Sequence, residues 1–193
     1  LLLMLVFVFA LPPGAMKTEG VFTASLWTTL FFAGTVGLSR GFGRERGDGR
    51  LAGLLMAPVD RSAVFLAKAL SALLFMALIT VVMMPVFFGV FGQTMTGPLW
   101  QWTAMTALVI TAYSGVGTLL AAVAAQLRSG EVLYPVLLFP LLVPVVLAAV
   151  HVSDAILFEG GWAGTGGWLQ MLVLFNVLFW GVPYLLFEYV VEV

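Results

Sequence analysis

The chain has 193 residues and a net charge of −1, with 62% of residues apolar and only 9% charged, against about 25% charged in an ordinary soluble domain. Such a composition excludes a water-facing globule, and the near-neutral balance excludes a strongly basic nucleic-acid binder. With no cysteine there is no disulfide, thiolate metal site, redox pair or thioether haem attachment; the bilayer is the expected solvent, and about 20 residues are needed per crossing.

The first apolar run, residues 1–11, is too short to span and follows no basic segment of the signal-peptide kind. It reads as the outer half of a span whose beginning lies before residue 1. Pro12, Pro13 and Gly14 supply turn chemistry, because proline fixes φ and glycine accepts positive φ. Further apolar runs cover about 21–38, 69–91, 99–127, 132–150 and 168–187, none with a full charge in its interior. In lipid every backbone amide must be paired within a segment or a closed barrel, and unbroken runs without alternating polarity favour helices. The expected fold is an all-α membrane protein forming one transmembrane domain over 1–193. It has six transmembrane helices, the first truncated at its N-terminal side.

The connections are 40–68, 92–98, 128–131 and 151–167. Alternation puts the first and third on one side, with Arg40, Arg44, Arg46, Arg50, Arg61, Lys68 and Arg128, and leaves only Lys17 among the basic residues on the other. The positive-inside rule assigns the basic side, and both chain ends with it, to the cytoplasm. The opposite side receives His151, Asp154, Glu159 and Trp100, Trp102, Trp162 and Trp168, placed where an interfacial aromatic belt lies.

Charge is dense in one place only, SRGFGRERGDGRLAGLLMAPVDRSAVFLAK, residues 39–68. Leu51, Leu54 and Leu55 fall at helical spacing and form one apolar stripe. Arg44, Arg46 and Arg50 lie on or before its first turns, and Pro58 stops the helical ladder. The result is a short amphipathic helix on the cytoplasmic side. Two roles fit it: lying flat in the headgroup region with its arginines on anionic lipid, or docking as a knob into a groove of a soluble partner.

Phe42, Arg44, Glu45, Arg46, Asp48, Gly49, Leu51, Leu54, Leu55, Pro58, Val59, Arg61 and Lys68 resemble the first cytoplasmic loop of the haem exporter B family. That family is the CcmB-type membrane subunit of the bacterial cytochrome c maturation system. Glutamate, glycine, a leucine pair, proline and lysine in this order also look like ABC exporter membrane subunits in general. The resemblance continues through span order, loop positions and GEVLYPVLLFPLLVPVV, residues 130–146. Family members usually carry a short cytoplasmic segment and a complete first span before the position of residue 1. Ala52 stands where an acidic residue is expected, which removes one polar contact of the docking helix and leaves its leucine face.

The resemblance implies a coupling helix that contacts a CcmA-type ATPase through Arg44, Glu45, Arg46, Asp48, Leu51, Leu54, Leu55 and Pro58. It implies a second copy of the chain, because ABC ATPases of the family work as dimers, and CcmC-type and CcmD-type membrane subunits with a CcmE-type haem chaperone. It implies a multi-pass protein of the bacterial inner membrane, with ATP and haem handled by partner subunits. The chain itself has no GxxxxGK followed by Ser or Thr to cradle phosphate, and Gly41, Gly43 and Gly47 miss even the GxGxxG spacing. No paired carboxylates, nucleophile and base, or metal cluster stands out, so a non-catalytic subunit is expected.

Other residues carry two readings each. Pro135, Pro140 and Pro144 interrupt the fifth span and act either as a hinge or as tolerated packing features. Gly117, Ala121 and Ala125 form a small-residue face that serves internal packing or a dimer seam. His151, the only histidine, sits at the outer end of span five, either as an axial ligand for haem iron or as an interfacial residue at a helix C-terminus. Trp162 to Trp168 lack the packed tryptophan run and nearby aspartate of a haem-handling motif and read as belt. Glu188 and Glu192 follow the last span, either solvated or paired with the first loop or the ATPase.

The expected function is the membrane subunit of an ABC-type complex that couples ATP hydrolysis by a separate subunit to haem export or to release of a haem-loaded chaperone for c-type cytochrome assembly. The near absence of polar groups in the spans favours release, since a polar path needs polar lining. The alternatives are an exporter subunit for a lipid, polysaccharide or drug, and a scaffold that never couples to nucleotide.

Overall fold

The computed structural model describes residues 2–12, 14–47, 61–125 and 130–184, and all regular structure among them is helical. Helix α1 (Leu2–Ala10) ends where the sequence places the turn. Gly14, at φ 88°, accepts the Lys17 amide at 3.0 Å and starts a 3-10 turn over Ala15–Lys17, a left-handed position that costs glycine little. Nine residues reach about 13 Å, well short of a bilayer core of about 30 Å.

Five helices are long and apolar enough to cross: α2 (Val21–Gly47), α3 (Arg61–Phe91), α4 (Leu99–Ala125), α5 (Gly130–Phe158) and α6 (Gly166–Asn176), which continues through a π turn at Val177–Gly181 to Tyr184. The expected six spans thus resolve into five of span length and the short α1. Two boundaries move. Helix α2 does not end at Leu38 but continues eight residues past its apolar stretch, Val21–Ser39, because Arg and Glu sustain a helix and no proline intervenes. Helix α5 does not end at Val150 but runs to Phe158. Its last turns stay helical because Val152, Ala155, Ile156 and Leu157 are buried, while Ser153 and Asp154 find partners on α2. The three prolines of α5 and Pro85 of α3 lie within continuous helix, each forfeiting one backbone donor.

Helix α4 is the centre of the bundle: 67% of its span is buried inside the protein, against 22% for α3 and 17% for α6. The outer helices turn Leu74, Leu78, Val81, Leu174 and Val177 outward, as lipid-facing surfaces do. Phe31 of α2 stacks on Tyr113 of α4 at 5.2 Å and 11°. Gly34 lets Met76 and the Tyr113 hydroxyl reach α2, since a Cβ there would collide with the Met76 sulfur. Gly117 and Ala121 face inward, with the Tyr134 hydroxyl against Gly117. The small-residue face of α4 therefore serves internal packing.

Hydrogen bonds across helices fix the register. The Trp27 indole donates to the Ser153 hydroxyl at 2.8 Å, both fully buried. The Thr23 hydroxyl donates to Asp154 at 2.7 Å, and the Thr35 and Tyr113 hydroxyls share a bond of 3.0 Å. On the other flank, Asn176 Nδ2 donates to the Leu108 carbonyl at 3.0 Å and the Trp180 indole to that of Thr111 at 2.8 Å. The π turn holds Trp180 so close over Gly115 that a Cβ there would lie 2.7 Å from the ring.

Candidate functional site

Helix ends gather into two poles. At the basic pole α2 carries Arg40, Arg44, Glu45 and Arg46 on its last turns, and α3 begins at Arg61. Eight residues beyond Ser39 lengthen α2 by about 12 Å, so its end lies that far past its own apolar stretch. Asp48, Leu51, Leu54, Leu55 and Pro58, expected to form the docking helix, lie outside the described residues, as do Glu188 and Glu192. The return path is anchored: Phe65 and Ala69 of α3 are fully buried against Ala122 of α4 and Trp180 of the π turn. The start of α3 is therefore packed directly against α4 and the π turn, so a displacement there is felt by both.

The aromatic pole brings together what the sequence assigns to one side. The Gly97 amide donates to the Ile156 carbonyl at 2.9 Å and the Thr96 hydroxyl to that of Leu157 at 2.6 Å. Gln101 accepts the Trp162 amide at 3.0 Å. The connection after α3 is thus tied to the last turn of α5, and the connection after α5 to the first turn of α4. Trp100 meets Trp162 edge-on at 5.0 Å, with Trp100 60% exposed. Trp102 instead is buried and points its indole at the Met84 sulfur, so it belongs to the core. Lys17 shares this pole, because Gly20, three residues on, lies against Asp154.

His151 is not at the end of its helix. It lies two turns inside α5, so the helix C-terminal dipole, which fades within the last turn, is not what places it. Its ring is exposed and stacks on Trp168 of α6 at 4.6 Å and 23°. Among the described residues neither ring nitrogen has a hydrogen-bond partner. Separately, between α2 and α5, a groove of about 550 Å³ is lined by Thr28 and by apolar side chains that include Phe32, Phe139, Val143 and Leu147.

Sequence reasoning missed the pairs that lock the bundle, Trp27 with Ser153, Thr23 with Asp154 and Thr35 with Tyr113. It also missed Asn176, the only asparagine in the chain. A lone amide in an apolar span was the signal, since such groups seek partners on neighbouring helices.

No curated protein and no solved structure matches the chain. The family model described as CcmB protein matches residues 1–183. That family implies ABC transporters, haem transport and cytochrome c biogenesis, and five apolar helices of span length agree with a multi-pass membrane protein. The chain belongs to the CcmB protein family and is a membrane component of a haem export system.

Proposed function

We propose that the chain is the permease-type, non-catalytic subunit of an ABC complex, and that a separate CcmA-type ATPase docks on the segment joining α2 to α3. ATP hydrolysis in that partner is coupled to haem export or to release of a haem-loaded chaperone for c-type cytochrome assembly. The single observation that carries this reading is the 12 Å projection of α2. It extends the helix that bears Arg40, Arg44 and Arg46 beyond its apolar stretch, toward the segment whose sequence carries the leucine stripe. Phe65 and Ala69 supply the inward link from that segment to α4 and the π turn.

In this proposal the basic pole faces the cytoplasm of a bacterial inner membrane, with both termini on that side, and the aromatic pole faces outward. A second copy of the chain completes the ATPase pair, with CcmC-type and CcmD-type subunits and a CcmE-type chaperone as further partners. Arg44, Glu45, Arg46, Asp48, Leu51, Leu54, Leu55 and Pro58 form the contact with the ATPase. Co-purification tests the reading: the ATPase accompanies the wild-type chain and is lost from the double variant Leu54→Asp, Leu55→Asp, while the variant still reaches the membrane at wild-type level. An ATPase retained by the double variant overturns it.

A further inference from the structure

The π turn at Val177–Gly181 lies between two donors that hold α6 to α4. Asn176, just before it, sends Nδ2 to the Leu108 carbonyl at 3.0 Å. Trp180, within it, sends its indole N–H to the Thr111 carbonyl at 2.8 Å, and its ring closes over Gly115. The same Trp180 packs with Phe65 and Ala69 near the start of α3, so one side chain touches α3 and α4 from within the turn. Turns of this kind recur at functional positions, and each holds one residue more than an α turn. Closing it to α would rotate everything after it by one residue's step, about 100°, and shift it by about 1.5 Å, carrying Trp180 off Thr111.

Two groups keep the present register from being strongly favoured. Asn176 Oδ1 is buried without a partner among the described residues, and an unmet buried acceptor disfavours the arrangement that leaves it so. Pro183, four residues after Phe179, has no amide to give the Phe179 carbonyl. The helical ladder is therefore already open at the turn, and a change of register there forfeits one bond fewer.

From this juxtaposition we propose that the π turn is a two-register joint in α6, worked by the start of α3 through Trp180. In the register seen here Trp180 grips Thr111 and Gly115. When the start of α3 moves, Phe65 draws the ring with it, the turn closes to α, and the end of α6 rotates. Trp180 acts as a positioning residue that passes movement between helices. The proposal rests on the reading that an ATPase docks on the segment joining α2 to α3, and it adds what that stroke moves.

The test uses the full chain with its ATPase in lipid nanodiscs. Nitroxides sit on Leu174→Cys and Val182→Cys, either side of the turn and 67% and 42% exposed, in a chain with no other cysteine. Closing the turn should lengthen this pair by roughly 3–4 Å, from the rotation and shift above on a helix about 10–12 Å across. Wild type is expected to give the short distance without nucleotide and a second, longer one with a non-hydrolysable ATP analogue. Deletion of Leu178 takes out the extra residue while keeping Trp180 in phase with Gly115. That variant is expected to keep the ATPase and the melting temperature of wild type, and to give one distance with and without nucleotide. Gly115→Ala, which pushes the ring away, and Trp180→Leu, which removes it without pushing on α4, are each expected to give the longer distance in the chain alone. Three results each overturn the proposal: one unchanged distance in the nucleotide-loaded wild-type complex; a Leu178 deletion that responds to nucleotide as wild type does; or the short distance kept by both Gly115→Ala and Trp180→Leu. An ATPase missing from the wild-type preparation would count against the coupling reading alone. The distances of those two variants without partner then decide the joint, long sustaining it and short overturning it.

Discussion

Replacing Gly97 by alanine tests how the connection after α3 is held to the end of α5 at the aromatic pole. A Cβ at Gly97 would lie 2.5 Å from the Ile156 carbonyl oxygen and 3.0 Å from the Ile156 side chain. The first of these is backbone of a packed helix and cannot swing aside. Forcing the loop away costs on the order of 1–3 kcal/mol for overpacking. Breaking the 2.9 Å bond from the Gly97 amide to that same oxygen adds about 0.5–1.5 kcal/mol. The lower entropy of an unfolded chain carrying alanine offsets about 0.4–1 kcal/mol of this. The net expectation is a loss of about 0.5–4 kcal/mol, read as an earlier unfolding midpoint in a denaturing-detergent titration or as a lower melting temperature. Gly89 is the internal control: it lies inside α3 with nothing near its absent Cβ, and Gly89→Ala should raise stability by about 0.5–1 kcal/mol. Equal stability of Gly97→Ala and wild type, or equal losses in both variants, would refute the reasoning.

Other expectations follow from the buried polar pairs. A double-mutant cycle of Trp27→Phe and Ser153→Ala should return a coupling of about 0.6 kcal/mol, with a ceiling near 1.7 kcal/mol, the span of hydrogen bonds between membrane helices; zero coupling contradicts the 2.8 Å bond. Tyr113→Phe removes the bond to Thr35 and should destabilise by about 0.5–1.5 kcal/mol. Tyr134→Phe should be neutral or stabilising, because that hydroxyl is buried without a partner among the described residues and removing it removes a desolvation cost; a loss equal to that of Tyr113→Phe would reveal a partner. Asn176→Leu takes two carbonyl contacts from α6 and should release the C-terminal part of that helix to faster amide exchange than in the wild type.

The spans and the two poles were legible because each long apolar run has only one way to satisfy its backbone in lipid and because basic residues cluster at one set of connections. Helix ends were harder to read. At α5 the chain past Val150 reads as a loop from its His, Ser and Asp, yet those polar groups are absorbed by Trp27, Thr23 and Trp168, partners far away in sequence. At α2 the glycines among the arginines look like loop, but isolated glycine costs only about 1 kcal/mol in a helix, which neighbouring Arg and Glu tolerate. The tryptophans gather at one pole as a group; that Trp102 turns into the core depends on Met84, on the neighbouring helix α3. The groove lined by Phe32 and Phe139 could not be read at all, since a void between α2 and α5 is a property of packing and leaves no mark on either segment alone.

Sidedness decides whether the leucine stripe can meet an ATPase, and the absence of cysteine gives a clean background for measuring it. Single variants Asp48→Cys and Glu159→Cys are exposed to a membrane-impermeant maleimide, first in intact spheroplasts and then after permeabilisation. The account predicts that Glu159→Cys is labelled in intact spheroplasts and Asp48→Cys only once the membrane is opened. Labelling of Asp48→Cys from outside, with Glu159→Cys protected, contradicts it.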